Sequence, residues 1–245
     1  MKQVTRRAGG VAVLLGALSW GCTDEETGLY ILGNVKIEAP DCIAQAEGGA
    51  TLIAGGILDV ALRPQYEASL LVGTQLTPRG DKSNLRTETM VTSVTGAEVH
   101  LFTDTGEPSV EFTVPANGVI RPEAASDPGF GIVFATLIPA SVGVELADEI
   151  TSPAERRTRV AEVRVFGETI GGLEVETSTF SYAIAVCEGC LIDFPADAIS
   201  DAEGTCGRIE DAPGLSCRPG QDDPTDCRSC YASNPYCRNA NGPVF

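Results

Sequence analysis

The 245-residue chain predicts an all-β protein: an antiparallel β-sandwich of immunoglobulin-like architecture with a disulfide-rich, loop-rich C-terminal tail. Three observations lead there. From Leu29 to Cys187 the chain consists of short runs rich in Val, Ile, Thr and Phe, broken by Gly, Pro and Asp, which is strand composition. Many of these runs alternate with period two, as half-buried strands do. Beyond Cys187 the alternation stops and cysteines crowd together, so cross-links have to replace an apolar core there.

Strands are expected near 30–38, 51–62, 66–76, 85–94, 97–103, 109–114, 130–138, 158–169 and 173–187. SVEFTV is the cleanest: Val110, Phe112 and Val114 share one face, Ser109, Glu111 and Thr113 the other. In EASLLVGTQL, Ala68, Leu70, Val72, Thr74 and Leu76 fall on one side. TPRGDKSN, TDTGEP, PANG and ETIGG read as breaks, and Gly171-Gly172 as a hairpin turn. ASVGVELADEITSPAERR places Val144, Leu146, Ala147 and Ile150 at mixed spacing and ends near Pro153, so one or two helical turns at most are expected. About 160 residues suffice for one hydrophobic core.

The first residues read as an export signal. Lys2, Arg6 and Arg7 precede the apolar run VAVLLGALSW, which is too short to span a bilayer. The run stops at Gly21-Cys22, which resembles the lipobox of bacterial lipoproteins, with Ser19 and Trp20 in place of the commoner residues. That resemblance implies a lipid anchor (palmitate among its acyl chains) on Cys22; the alternative is ordinary cleavage nearby. The expected organisation is a signal peptide (1–21), a polar tether (22–28), the sandwich (29–187) and a stapled segment (188–245). Without its three leader cations the chain carries 14 basic against 34 acidic residues, a balance of −20. That disfavours nucleic acid, whose binding rests on cationic contacts.

The chain has nine cysteines. With Cys22 lipidated, eight remain for disulfides: Cys42, Cys187, Cys190, Cys206, Cys217, Cys227, Cys230 and Cys237. An exported chain meets an oxidising compartment. Cys42 stands alone in the body and the other seven lie from Cys187 onward, so if all eight are oxidised within the chain Cys42 must join one of the seven. The CxxC pairs Cys187/Cys190 and Cys227/Cys230 are spaced too far apart for a zinc ribbon. Cys187 ends a strand, not at a helix N-terminus where a thioredoxin-like cysteine is activated. No metal site and no cofactor is expected. Asp222, Asp223 and Asp226, and Asp197, Asp201 and Glu203, are acidic clusters without EF-hand spacing. His100, the only histidine, sits in an alternating strand on the face of Glu98 and Phe102; no G-x-S-x-G elbow accompanies it, and no catalytic residue stands out.

AEVRVFGETIGGLEVETSTFSYAIAVCEGCLI followed by CRPGQDDPTDCRSC resembles a group of cysteine-rich lipoproteins of myxobacterial-type Gram-negative bacteria. Their tail has the form C-x-G-C-L … C-x-x-G-Q-D … C-x-x-C, and the group is uncharacterised in activity. The resemblance implies a cell-envelope protein, with Thr23 after the cysteine favouring the outer membrane by the sorting rule of enteric bacteria. The expected function is a binding or structural role, held to the membrane by the lipid, with a protein or glycan partner. The alternative is an envelope or extracellular hydrolase using acidic residues.

Overall fold

The computed structural model describes residues 28–81, 86–123, 128–152, 155–199, 204–207 and 216–240. The expected signal peptide (1–21), Cys22 and the rest of the expected tether up to residue 27 lie outside the described residues, as do Asp201 and Glu203. The fold is predominantly β. Its centre is one ten-stranded sheet in the order β2-β1-β4-β7-β6-β5-β8-β10-β3, with β9 paired to β8. The strands are β1 (Leu29–Val35), β2 (Leu52–Ile53), β3 (Gly56–Asp59), β4 (Tyr66–Thr74), β5 (Thr92–Thr103), β6 (Pro108–Ile120), β7 (Gly129–Ile138), β8 (Arg157–Thr169), β9 (Glu174–Glu176) and β10 (Phe180–Cys187).

The sheet bends back on itself until it is nearly a barrel. Strand β6 makes the bend: it pairs along its length with β5 but meets β7 through Asn117 and Phe134. Close backbone approach there needs glycine, because a Cβ on Gly118 would stand 2.6 Å from the Ile132 carbonyl oxygen. The two halves bury one shared core. Leu70, Val72, Val133 and Leu137 come from one side; Val99, Leu101, Val163, Val165, Ile184 and Val186 from the other. A bridge from Leu29 to Thr177 ties β1 to the stretch after β9 and narrows the gap at one end.

Several sequence expectations are corrected. The sheet is mixed rather than purely antiparallel, since β3 runs parallel to β10. Nearly the whole body lies between those two strands, and parallel pairing requires such a long connection. The expected strands at 85–94 and 97–103 contribute to one strand, β5, which continues through a bulge at Gly96. PANG does not break β6: Pro115 lies opposite Gly96, where the ladder is already irregular and a missing N–H costs least. The expected strand 51–62 divides into β2 and β3, and 173–187 into β9 and β10. Helix α1 (Ala140–Glu149) is ten residues long, more than the two turns expected. Gly143 lets it lie against the Pro64 carbonyl, and Leu146 and Ile150 enter the core.

The tail forms a small second cluster. A short parallel pair joins β11 (Ile192–Asp193) to β12 (Thr225–Asp226), followed by the single turn α2 (Cys227–Cys230) and a 3-10 turn at Pro235–Cys237. Ala198, Cys206, Cys227, Cys230 and Cys237 are its buried centre. No helix among the described residues is long and apolar enough to cross a membrane.

Candidate functional site

The densest polar chemistry lies where the tail meets the body. Strand β3 is the last strand of the sheet and would otherwise show unpaired backbone to solvent, a liability for any sheet. Residues 220–222 cover that edge: Asp59 N–H donates to Gly220 O at 2.9 Å, and Asp222 N–H to Ile57 O at 3.0 Å. The Gln221 side chain does the same for β4. Its Oε1 accepts from Glu67 N at 3.0 Å and its Nε2 donates to Glu67 O at 2.7 Å. The tail therefore stitches β3 to β4 across the gap that the bent sheet leaves open. Arg218 adds a third anchor, donating to Glu67 O and to Ser69 Oγ, with its guanidinium over the Phe134 ring. This helps explain why β4 is buried on both faces although its sequence alternates: on the second face Ser69 lies beneath Arg218 and Gly73 against the Tyr30 ring.

Behind the stitch runs a buried hydrogen-bond chain. Asn34 Nδ2 donates to the Tyr66 and Tyr182 hydroxyl oxygens, both at 3.0 Å, and Asn34 Oδ1 accepts from Ser69 N at 2.8 Å. Tyr182 and Tyr66 hydroxyls meet at 3.1 Å, and Tyr66 donates on to the Asp222 carboxylate at 3.0 Å. With Tyr182 donating to Tyr66, every hydroxyl has a partner in one consistent direction, which is what burial requires. Asp222 adopts a left-handed backbone, φ 64°, to bring its carboxylate to this point. The signals in the sequence were an asparagine inside the apolar strand LYILGNV and the Gly-Gln-Asp of the tail; neither said which distant strand would receive it.

Burial pushes the Asp222 carboxyl above its usual range, although Ile57 N–H, Gln221, Tyr66 and Arg218 pull the other way. Asp59 is raised for the same reason, against three backbone donors, Ala61, Gly189 and Leu191. A group whose folded pKa is raised binds its proton more tightly in the folded state. Its stabilising contribution is complete below the unfolded value, about 4, and is lost as pH rises through the folded one. The stability difference between the wild type and Asp222→Asn should therefore shrink as pH rises from the unfolded value through the raised one. Urea midpoints of both proteins across that range check this; a difference that grows with pH would show the carboxylate to be the favoured form.

The described cysteines form four pairs: Cys42 with Cys217, Cys187 with Cys190, Cys206 with Cys227 and Cys230 with Cys237, with Cα atoms 5.3, 5.9, 6.1 and 5.7 Å apart. The two CxxC motifs differ. Cys187 and Cys190 close on each other, whereas Cys227 and Cys230 take separate partners. Asp59 lies beside Cys187 and Cys190 but its carboxylate is held by the loop they close.

The acids of Asp222, Asp223 and Asp226 do not converge. Asp222 joins the buried chain, Asp223 pairs with Lys36 at 3.6 Å, and Asp226 caps α2 and binds Arg228, which also reaches Asp197. His100 is on the outer face of β5, with Nε2 3.5 Å from Glu98 and 3.6 Å from Glu111, and Glu162 opposite on β8. Glu98, His100 and Glu111 are a surface set that could hold a cation. A groove of about 760 Å³ beside β8 and β9 is lined by Glu168, Glu174 and Glu176, with Glu168 directly across from Glu174. Comparison with protein-family models, curated proteins and solved structures finds no match for the chain.

Proposed function

We propose that this chain is a lipid-anchored cell-envelope protein with a binding or structural role, exported by its leader and acylated at Cys22. The observation that carries the reading is the set of four cysteine pairs: such bridges persist outside the cytosol and are rare within it. The export-type leader, the odd ninth cysteine at the end of its apolar run and the lipoprotein-like tail motif point the same way. In this reading the bent sheet serves as an immunoglobulin-like sandwich. The tail, stitched across its open edge, stiffens the body, and the connecting loops remain for recognition of a protein or glycan of the envelope.

Expression with Cys22→Ser tests the anchor. The variant is expected in the soluble periplasmic fraction, while the wild type stays with membranes and starts at an acylated Cys22 by mass spectrometry. A wild type that begins elsewhere, or a variant that stays membrane-bound, removes the anchor from the reading. The alternative, a hydrolase acting through acidic residues, draws on the groove of Glu168, Glu174 and Glu176. Hydrolysis of envelope polysaccharide or peptide by the purified wild type would favour it.

A further inference from the structure

Of the eight described cysteines, Cys42 alone is exposed; Cys190 and Cys217 are half-buried and the others buried. It sits in the loop 37–51, most of which faces solvent. The loop is shaped mainly by local bonds: Cys42 N–H to Glu38 O at 3.0 Å within a Glu38–Ile43 bridge, Ala50 N–H to Glu47 O at 3.1 Å, and Lys36 N–H to Thr51 O at 2.8 Å at its base; Gly48 also lies against the Phe130 ring. Cys42 also has a left-handed backbone, φ 53°, a conformation that a residue with a Cβ seldom adopts unless something holds it there. Its partner stands on firmer ground. Cys217 precedes Arg218, and Arg218, Gln221 and Asp222 are all anchored to β3 and β4 by bonds that do not involve the disulfide.

We infer that the Cys42–Cys217 bridge is a thiol–disulfide exchange site for an external dithiol, and that opening it frees the loop 37–51 while the tail stays docked. A thiolate of the dithiol attacks Sγ of Cys42, the more exposed of the two residues. The Cys42–Cys217 bond breaks and Cys217 leaves as a thiolate, to be protonated from solvent. The second thiol of the reagent then attacks its own sulfur in the mixed disulfide. Cys42 is released as a thiolate, and the dithiol, having lost two electrons, becomes a cyclic disulfide. The length of chain between the two cysteines matters to the unfolded chain only. In the folded protein the stitch at residues 218–222 keeps Cys217 in place, and Cys42 relaxes to an ordinary backbone conformation. The cleft of about 230 Å³ lined by Lys36, Glu38, Asp41, Ile43 and Gln45 opens as the loop departs. This inference goes beyond the envelope role and is independent of the lipid anchor.

The test is a dithiothreitol titration of the full wild-type chain, with acid quenching, differential alkylation and peptide mapping. Cys42 and Cys217 should become alkylated together at about tenfold less reductant than the other six cysteines require. Over the same step, cleavage after Glu38 and Glu47 by a Glu-specific protease should rise by about tenfold, since a freed loop is the preferred site of nicking. The near-ultraviolet circular dichroism of Tyr66 and Tyr182 should stay unchanged. Cys42→Ser should reproduce the fast cleavage without reductant; the wild-type titration decides the matter if that variant fails to fold. Another bridge opening first or in parallel, a loop cut equally fast before and after, or a tyrosine signal that collapses with the first bridge would each overturn the inference.

Discussion

The double variant Cys42→Ser, Cys217→Ser is expected to lose about 5 kcal/mol of unfolding free energy, because the bridge closes a separation of 175 residues. The chain-entropy argument places this effect in the unfolded state: without the bridge, the denatured chain gains freedom that folding must then remove. Urea unfolding of the two proteins, both otherwise oxidised, measures it as a lower midpoint and a changed slope. The variant's native state should keep amide protection at residues 220–222, since their bonds to Ile57 and Asp59 do not pass through the disulfide. A loss below about 2 kcal/mol would mean that the unfolded chain is already constrained by residual structure. Loss of protection at 220–222 would mean that the bridge, not the stitch, holds the tail.

Replacing Asn34 with leucine should cost about 3 kcal/mol, through a different mechanism. Leucine fills a similar volume but returns none of the three bonds of the amide. Ser69 N–H is left in the core without its acceptor, and each tyrosine hydroxyl loses the bond that Asn34 Nδ2 donates to it. Each buried polar group stripped of a partner costs about 1–3 kcal/mol; the loss is limited because the tyrosines keep their existing bonds to each other and to Asp222. Tyr182→Phe alone should cost about 1 kcal/mol, and less in the Asn34→Leu background, because its donor is already gone. Thermal or urea unfolding of the four proteins closes this cycle. Strictly additive costs would contradict a connected chain of bonds from Asn34 to Asp222.

The strands were largely legible from alternation. Val110, Phe112 and Val114 pack against the core and Ser109 and Glu111 do not, as period two requires. Legibility failed where a residue's role depended on its partner. Pro115 reads as a breaker in isolation, yet it lies opposite the Gly96 bulge in an unbroken strand. Ser69 reads as an outward residue of β4 and is buried beneath Arg218. Asp59 sits in the apolar run GGILDVAL, and of the three backbone N–H groups that bind it only Ala61 is local; Gly189 and Leu191 lie 130 and 132 residues away.

By itself, then, the sequence determined the quantities that are local or countable: the β period, the change of composition at Cys187, the negative charge, and the parity that requires Cys42 to reach the tail if all eight cysteines pair within the chain. The tertiary structure decided which of seven cysteines meets Cys42, that β3 lies parallel to β10, and that Gly-Gln-Asp closes the gap between β3 and β4. The physical reason is the same in each case. Alternation and composition report which groups must leave water, whereas the choice of a distant partner depends on where a twisted sheet brings its edges. Residues 220–222 find that edge where the folded body brings β3 and β4 together around Asn34, Tyr66 and Tyr182.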